Sequence, residues 1–495
     1  MKIKVKKGDI TTEKTSALVI NLFEGVKIPG GATGAVDKKL NNQISKIIAH
    51  GDFKGKLNEI LLLHTFDFPW ERVLIVGLGK QEEFNLDIVR QVSGTVTSYL
   101  GNLGVNSYST ILHGGGIGGL DVKDAAQALT EGAILGSYKF NYYKNEKETK
   151  IEEVTILERD ETKIKKIEDG VKLGEIIANN QCLARDLANT PANEMTPSIF
   201  ERKIKELINE KIKMKVLEKE ECEKLGMNAF LAVAKGSDEL PKFIILEYKN
   251  NNSAPIVLAG KGITFDSGGI SLKPSKGMEE MKGDMTGAAV SFAVLKIISQ
   301  LNIPINFVTI IPLCENLPSG KASKPGDIVK SLSGKTIEIV NTDAEGRLIL
   351  ADALSYATKY KPELIIDVAT LTGAAKVALG TVRAAVMSNK EELIEKIKIS
   401  AQKSGELVWP LPLGKEYKYL IKSDIADMKN VGEDGTAGTI VGGIFLQEFV
   451  NNFPWIHIDI AAVDYENKGK PYIPKGHTAF GVRLITEFIM NYSKI

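Results

Sequence analysis

In the first third of the chain, short apolar runs at residues 17–22, 60–63 and 72–76 alternate with segments at 87–100 and 121–135 whose apolar positions recur at helical spacing. Runs of that length read as buried strands, and the 3.6-residue recurrence predicts helices packed on them. Residues 142–168 are dense in charge, broken by the apolar run 154–157, and mark a domain boundary. A long helix over about 171–188 then leads to apolar runs at 243–248, 256–258, 305–311, 364–368 and 456–460, with helical periodicity between them, as at 285–299 and 344–359. Strands that are apolar throughout and alternate with helices predict a parallel sheet covered on both faces. The expected fold is α/β: a smaller N-terminal α/β domain over 1–160, and a larger C-terminal α/β domain over 161–495 with a central, largely parallel sheet covered by helices.

Two polar clusters follow apolar runs directly. Residues 341–348 read Asn-Thr-Asp-Ala-Glu-Gly-Arg-Leu after the run 337–340. Acidic residues favour the first turn of a helix, so this Asp-x-Glu, taken alone, is a capped helix start. The second cluster changes that reading. Residues 259–274 read Ala-Gly-Lys-Gly-Ile-Thr-Phe-Asp-Ser-Gly-Gly-Ile-Ser-Leu-Lys-Pro and 281–284 read Met-Lys-Gly-Asp, after the run 256–258. Their glycines let backbone approach a ligand, and they carry Lys261, Asp266, Lys273 and Asp284. In open α/β sheets ligands bind beyond the carboxyl ends of strands, where Asp266, Asp284, Asp343 and Glu345 would fall. Four carboxylates in one cleft repel unless cations neutralise them, and two divalent ions balance the charge. Pairs of metals about 3.5 to 4 Å apart, bridged by carboxylates and a water, recur in hydrolytic enzymes. Ligation rich in carboxylates suits manganese, magnesium or zinc. The five histidines, His50, His64, His113, His457 and His477, form no His-Glu-x-x-His, which argues against a zincin-type single-zinc centre.

These residues resemble the leucyl aminopeptidase family, the cytosol aminopeptidases with a dinuclear metal centre. The resemblance runs through 341–348, 260–269, Lys273-Pro274, 281–284, the stretch Arg-Asp-Leu-Ala-Asn-Thr-Pro-Ala-Asn-Glu-Met-Thr-Pro at 185–197, and 369–373. It implies that Lys261, Asp266, Asp284, Asp343 and Glu345 are metal ligands, Asp266 and Glu345 touching both ions. It also implies that Lys273 polarises the scissile carbonyl and that Arg347 holds a bicarbonate acting as general base. Met281, Thr370, Leu371 and Ala374 resemble the residues around the first side chain of the substrate. The implied activity is release of N-terminal residues, leucine and other apolar ones preferred, from short peptides, with two divalent ions per subunit. The implied assembly is a homohexamer, a dimer of trimers, and the implied N-terminal domain is non-catalytic. These roles are chemically coherent. A lysine ligates a metal only when deprotonated, so Lys261 needs an adjacent dication. A protonated Lys273 helps most once the carbonyl oxygen carries charge in the transition state. A free α-amine anchored at one ion would make the enzyme an exopeptidase.

Charge and composition narrow the alternatives. The 63 Lys and Arg against 62 Asp and Glu give no broad field for nucleic acid or an acidic membrane, which counts against an additional DNA-binding or architectural role. A nucleotide-binding reading would rest on Gly77-Leu78-Gly79 and the glycine-rich runs 30–34 and 114–119. None completes a Gly-x-Gly-x-x-Gly that opens a helix, so they read as turn and packing glycines and no cofactor is placed there. Cys182, Cys222 and Cys314 are too scattered for a disulfide framework and read as reduced thiols. The opening Met-Lys-Ile-Lys-Val-Lys-Lys-Gly-Asp lacks the apolar core of a secretory signal and no run is long enough to span a bilayer, so a cytoplasmic location is expected. Near the C-terminus, 455–461 resembles the family's late core strand, whereas 462–467 is more polar than the family pattern. Residues 476–481, Gly-His-Thr-Ala-Phe-Gly, replace a more usual Ala-Thr-Gly before Phe-Gly. His477 reads as a packing or hydrogen-bonding loop residue and His457 as core.

Overall fold

The computed structural model describes residues 1–116, 118–145, 150–432 and 435–493. Residue 117 of the glycine-rich run 114–119 and residues 146–149 of the charged stretch 142–168 lie outside the described residues. The chain forms two compact units, Met1–Asn179 with Asn467–Lys475, and Asn180–Glu466 with Gly476–Ile495.

The first unit holds a six-stranded sheet of β1 (Lys2–Lys7), β2 (Leu18–Leu22), β3 (Ile60–His64), β4 (Arg72–Gly77), β5 (Ser107–Ile111) and β6 (Glu153–Glu158), in the order β1-β6-β5-β2-β4-β3. All neighbours are parallel except β3, which closes one edge antiparallel to β4. The apolar run inside the charged stretch is β6, paired between β1 and β5. Helices Leu86–Asn102 and Val122–Gly136 each start on a side-chain cap, Asn85 accepting from the Asp87 and Ile88 N–H groups and Asp121 from those of Lys123 and Asp124. In the glycine-rich segments, a Cβ on Gly77 would lie 1.9 Å from the Lys56 carbonyl oxygen, so that glycine serves a close backbone approach.

The second unit is built on nine strands. These are β7 (Ile212–Leu217), β8 (Lys242–Tyr248), β9 (Ile256–Gly260), β10 (Gly262–Asp266), β11 (Phe307–Asn316), β14 (Leu364–Ala369), β15 (Ala384–Ser388), β16 (Val408–Pro410) and β18 (Trp455–Asp459). Their order is β16-β15-β18-β14-β9-β11-β8-β7, with β10 also on β11. The centre, β18-β14-β9-β11, is parallel, and antiparallel joins occur at β15–β18, β11–β8 and β8–β7. β9, β11, β14 and β18 are buried along their whole length, which explains why their sequences do not alternate. On one face Val257 and Ala259 of β9 join a core with helices Gly346–Ala357 and Gly438–Gln447. On the other, helix Thr286–Gln300 lies against the strand backbones. A Cβ on Gly260 would be 2.3 Å from the Gly287 carbonyl oxygen, and one on Gly287 would be 2.2 Å from that of Val368. A separate three-stranded sheet pairs β12 (Asp327–Lys330), β13 (Thr336–Ile339) and β17 (Met428–Lys429). The apolar run before Asp343 is therefore β13 of this small sheet, and not a strand of the main one. Among the described residues no helix is long and apolar enough to cross a membrane.

Candidate active site

The two polar clusters converge at the carboxyl ends of β9 and β14. β9 runs out at Gly260, so Lys261 is delivered where the Lys261 N–H bonds the Val368 carbonyl at 3.1 Å. β10 ends at Asp266, and Gly268 and Gly269, at φ +86° and +66°, turn the chain back in a conformation that L side chains disfavour. Asp266 Oδ1 accepts from the Gly268 N–H at 2.9 Å and from Asn316 Nδ2 at 2.8 Å, fixing the carboxylate at the end of β11. A short 3-10 turn, Met278–Gly283, leads into Asp284. Asp343 and Glu345 sit between β13 and the helix Gly346–Ala357, as the strand-to-helix reading requires. Thr342 ties the two clusters together: its hydroxyl donates to the Gly268 carbonyl at 2.7 Å and accepts from the Ser271 N–H at 2.8 Å.

Lys261, Asp266, Lys273, Asp284, Asp343 and Glu345 all line one cleft of about 350 Å³. Lys261 Nζ lies 2.7 Å from Asp284 Oδ1, 2.8 Å from Glu345 Oε1 and 2.8 Å from the Thr370 carbonyl oxygen. Lys273 Nζ lies 2.7 Å from Asp266 Oδ2 and also pairs with Asp343. Burial works against both ammonium groups, but the surrounding carboxylates outweigh it and hold each above the ordinary lysine range. The carboxylates divide. Burial and the Glu345 charge push Asp266 up to about 6, and burial pushes Asp284 well above its usual range. Burial also acts on Glu345, yet Lys261 and Lys273 prevail and bring it down to about 2. One oxygen each of Asp266, Asp343 and Glu345 fall within 4.8 Å of one another. Asp284 Oδ2 and Glu345 Oε2 are buried without a hydrogen-bond partner. Oxygen donors this close, with spare buried lone pairs, fit hard or borderline divalent cations.

Of the residues expected around the substrate, Met281, Thr370 and Leu371 line the cleft. Thr370 does more than line it, because its hydroxyl donates to Asp284 Oδ1 at 2.7 Å. Ala374, on helix Gly373–Leu379, is half-buried, is not among the lining residues and packs towards Gly438. Arg347 is likewise buried and outside the lining. Its Nη1 donates to the Asn430 carbonyl at 2.7 Å while its Nε is buried without a partner. Burial lowers it to about 10, against the opposing charges of Glu345 and Asp459. His457 is fully buried on β18, with Nδ1 2.5 Å from Asp367 Oδ1, in keeping with a core histidine. His477 is buried and hydrogen-bonded as read from sequence, but it also lines the cleft. Sequence reasoning missed Asn316, Asn430 and Asp459, which orient Asp266, Arg347 and the Leu371–Thr372 turn. No motif marks them, since each lies at a strand end or in a loop remote in sequence. Asp464, also in the lining, had a signal: the unexpected polarity of 462–467.

A largely parallel α/β sheet with carboxylates within ligating distance at its carboxyl edge is an arrangement that metal-dependent hydrolases use. Comparison with known proteins makes the assignment specific. Residues 182–486 match the cytosol aminopeptidase family, catalytic domain, and residues 6–147 its N-terminal domain, so the chain belongs to the cytosol aminopeptidase family. It is 47% identical to a probable cytosol aminopeptidase of Geotalea uraniireducens over 92% of both chains. It is 41% identical to the cytosol aminopeptidase of Pseudomonas aeruginosa over the full length of both. Among solved structures, a mutant of tomato leucine aminopeptidase superposes with a TM-score of 0.88 at 31% identity, covering 99% of this chain and 96% of that one. The bottromycin maturation enzyme BotP in complex with Mn gives a TM-score of 0.85 at 32% identity, covering 97% of this chain and 100% of that one. The chain is a metal-dependent aminopeptidase, a hydrolase acting on peptides.

Proposed function

We propose that the protein releases N-terminal residues from short peptides, leucine and other apolar residues preferred, at a two-metal centre held by Lys261, Asp266, Asp284, Asp343 and Glu345. The observation that carries this is the convergence of Asp266, Asp343 and Glu345 oxygens within 4.8 Å, beside buried unpartnered oxygens of Asp284 and Glu345. Two divalent ions bound there, manganese, zinc or magnesium, supply Lewis-acid activation of water and of the substrate carbonyl. The BotP complex with Mn favours manganese.

The chain's own groups do the rest. Lys261 holds its proton between Asp284 and Glu345, and as a metal ligand it would serve as the neutral amine, its proton released to solvent. Lys273 stays protonated on the open side of the cluster and stabilises negative charge growing on the carbonyl oxygen. Met281 and Leu371 present an apolar surface to the first side chain. Arg347 holds bicarbonate: its buried, unpartnered Nε–H is the donor a planar anion takes, and bicarbonate there supplies a general base. The N-terminal domain, expected over 1–160, is the non-catalytic one, and the C-terminal domain, expected over 161–495, is the catalytic one. The protein is cytoplasmic and assembles as a hexamer, which sedimentation equilibrium checks directly.

Metal replacement tests this reading. Protein stripped of metal should not hydrolyse leucine p-nitroanilide, and activity should return with manganese or zinc at two ions per chain. Full activity in rigorously stripped protein would refute it.

A further inference from the structure

The polar C-terminal segments that depart from the family pattern fold onto the cleft. Tyr465–Glu466 and Gly476–His477 pair antiparallel, with Tyr465 opposite His477, and Asp464, Tyr465 and His477 all enter the lining. His477 Nδ1 lies 2.7 Å from Asp464 Oδ2. The carboxylate accepts, so Nδ1 is the donor, and in the tautomer with its proton on Nδ1 the Nε2 atom is an acceptor. His477 is 2% and Asp464 4% exposed, yet His477 Nε2 and Asp464 Oδ1 have no hydrogen-bond partner. Buried acceptors without donors are costly, and a ligand that brings N–H groups to the cleft wall would satisfy them. The pair also has a defined place. A Cβ on Gly283 would fall 1.8 Å from His477 Cε1 and 2.4 Å from His477 Nε2, so the nitrogen-bearing edge of the imidazole packs on the glycine next to Asp284.

We infer that His477 and Asp464 adapt the first-residue subsite to long side chains with a cationic, N–H-bearing tip, lysine and arginine, alongside apolar ones. This rests on the aminopeptidase reading: with the α-amine and carbonyl held at the carboxylate cluster, the first side chain departs beside Asp284, along the wall where Met281 and His477 lie. Met281 and Leu371 cover the aliphatic stem, and Asp464 Oδ1 and His477 Nε2 accept from the tip. Glu280, in the same lining, adds negative charge. Lys376, the opposing lining cation outside the carboxylate cluster, is exposed and screened by solvent.

The test compares kcat/KM of the manganese-loaded enzyme on lysyl-, norleucyl- and leucyl-amidomethylcoumarin. Norleucine has the stem of lysine without the ammonium, so the lysyl-to-norleucyl ratio isolates the tip. The wild type should hydrolyse the lysyl substrate at least as efficiently as the norleucyl one. In Asp464→Ala and His477→Ala that ratio should fall roughly tenfold or more, because a buried site built for a donor discriminates strongly against losing the match. A ratio unmoved by both variants, or a wild type favouring norleucyl over lysyl, overturns the inference and leaves the aminopeptidase reading intact. A wild type that cleaves none of the three overturns both. If neither variant folds, the wild-type ratio alone still decides.

Discussion

Glu345 places one carboxylate oxygen on Lys261, while the other is buried with no partner. Removing it takes away a ligand atom grouped with those of Asp266 and Asp343 and leaves Lys261 with less compensation. Glu345→Ala should therefore lose at least one bound ion, read by metal analysis of the dialysed protein, together with nearly all turnover. Full metal content with near-normal turnover would show the ligand set to be wrong. Lys273 makes the opposite prediction. It pairs with the same carboxylates but is half-exposed, so its loss leaves the donor atoms in place. Lys273→Ala should keep both ions and its KM while kcat falls by about a hundredfold or more, the scale for loss of an oxyanion donor. A variant that raises KM alone would place Lys273 in binding instead of chemistry.

At the scale of elements, what positions Lys261 is the contact of helix Thr286–Gln300 with the ends of β9 and β14, made at Gly260 and Gly287. Because the atom facing a Gly287 Cβ is a backbone oxygen, the strand itself would have to move. Gly287→Ala is expected to destabilise by about 1–3 kcal/mol, seen as a lower denaturant midpoint. An unchanged midpoint would mean that the strand ends yield easily. These central strands were legible in the sequence because both of their faces are buried, as at 256–258 and 364–368. β1 was not, since four of its six residues are lysine, and neither was β5, whose Ser107-Tyr-Ser-Thr-Ile111 carries hydroxyls into the sheet interior. Periodicity also could not assign β13 to the small sheet, because strand partnership is set by contacts distant along the chain. The carboxylate and lysine cluster was readable from two local motifs. Asn316 and Asn430 were not, because they act through hydrogen bonds from segments remote along the chain.

For the whole molecule, the proposed activity requires the cleft at the carboxylate cluster to take a peptide by its start and nowhere else along it. The α-amine must be free to reach the centre, and blocking it removes the anchor that presents the adjacent carbonyl. The decisive measurement is the rate of cleavage of a leucyl tripeptide by the manganese-loaded protein, beside its N-acetylated counterpart. Release of free leucine from the first, with the acetylated peptide left intact, is the result predicted. Cleavage of the acetylated peptide at a comparable rate, at its first or any internal bond, would contradict it.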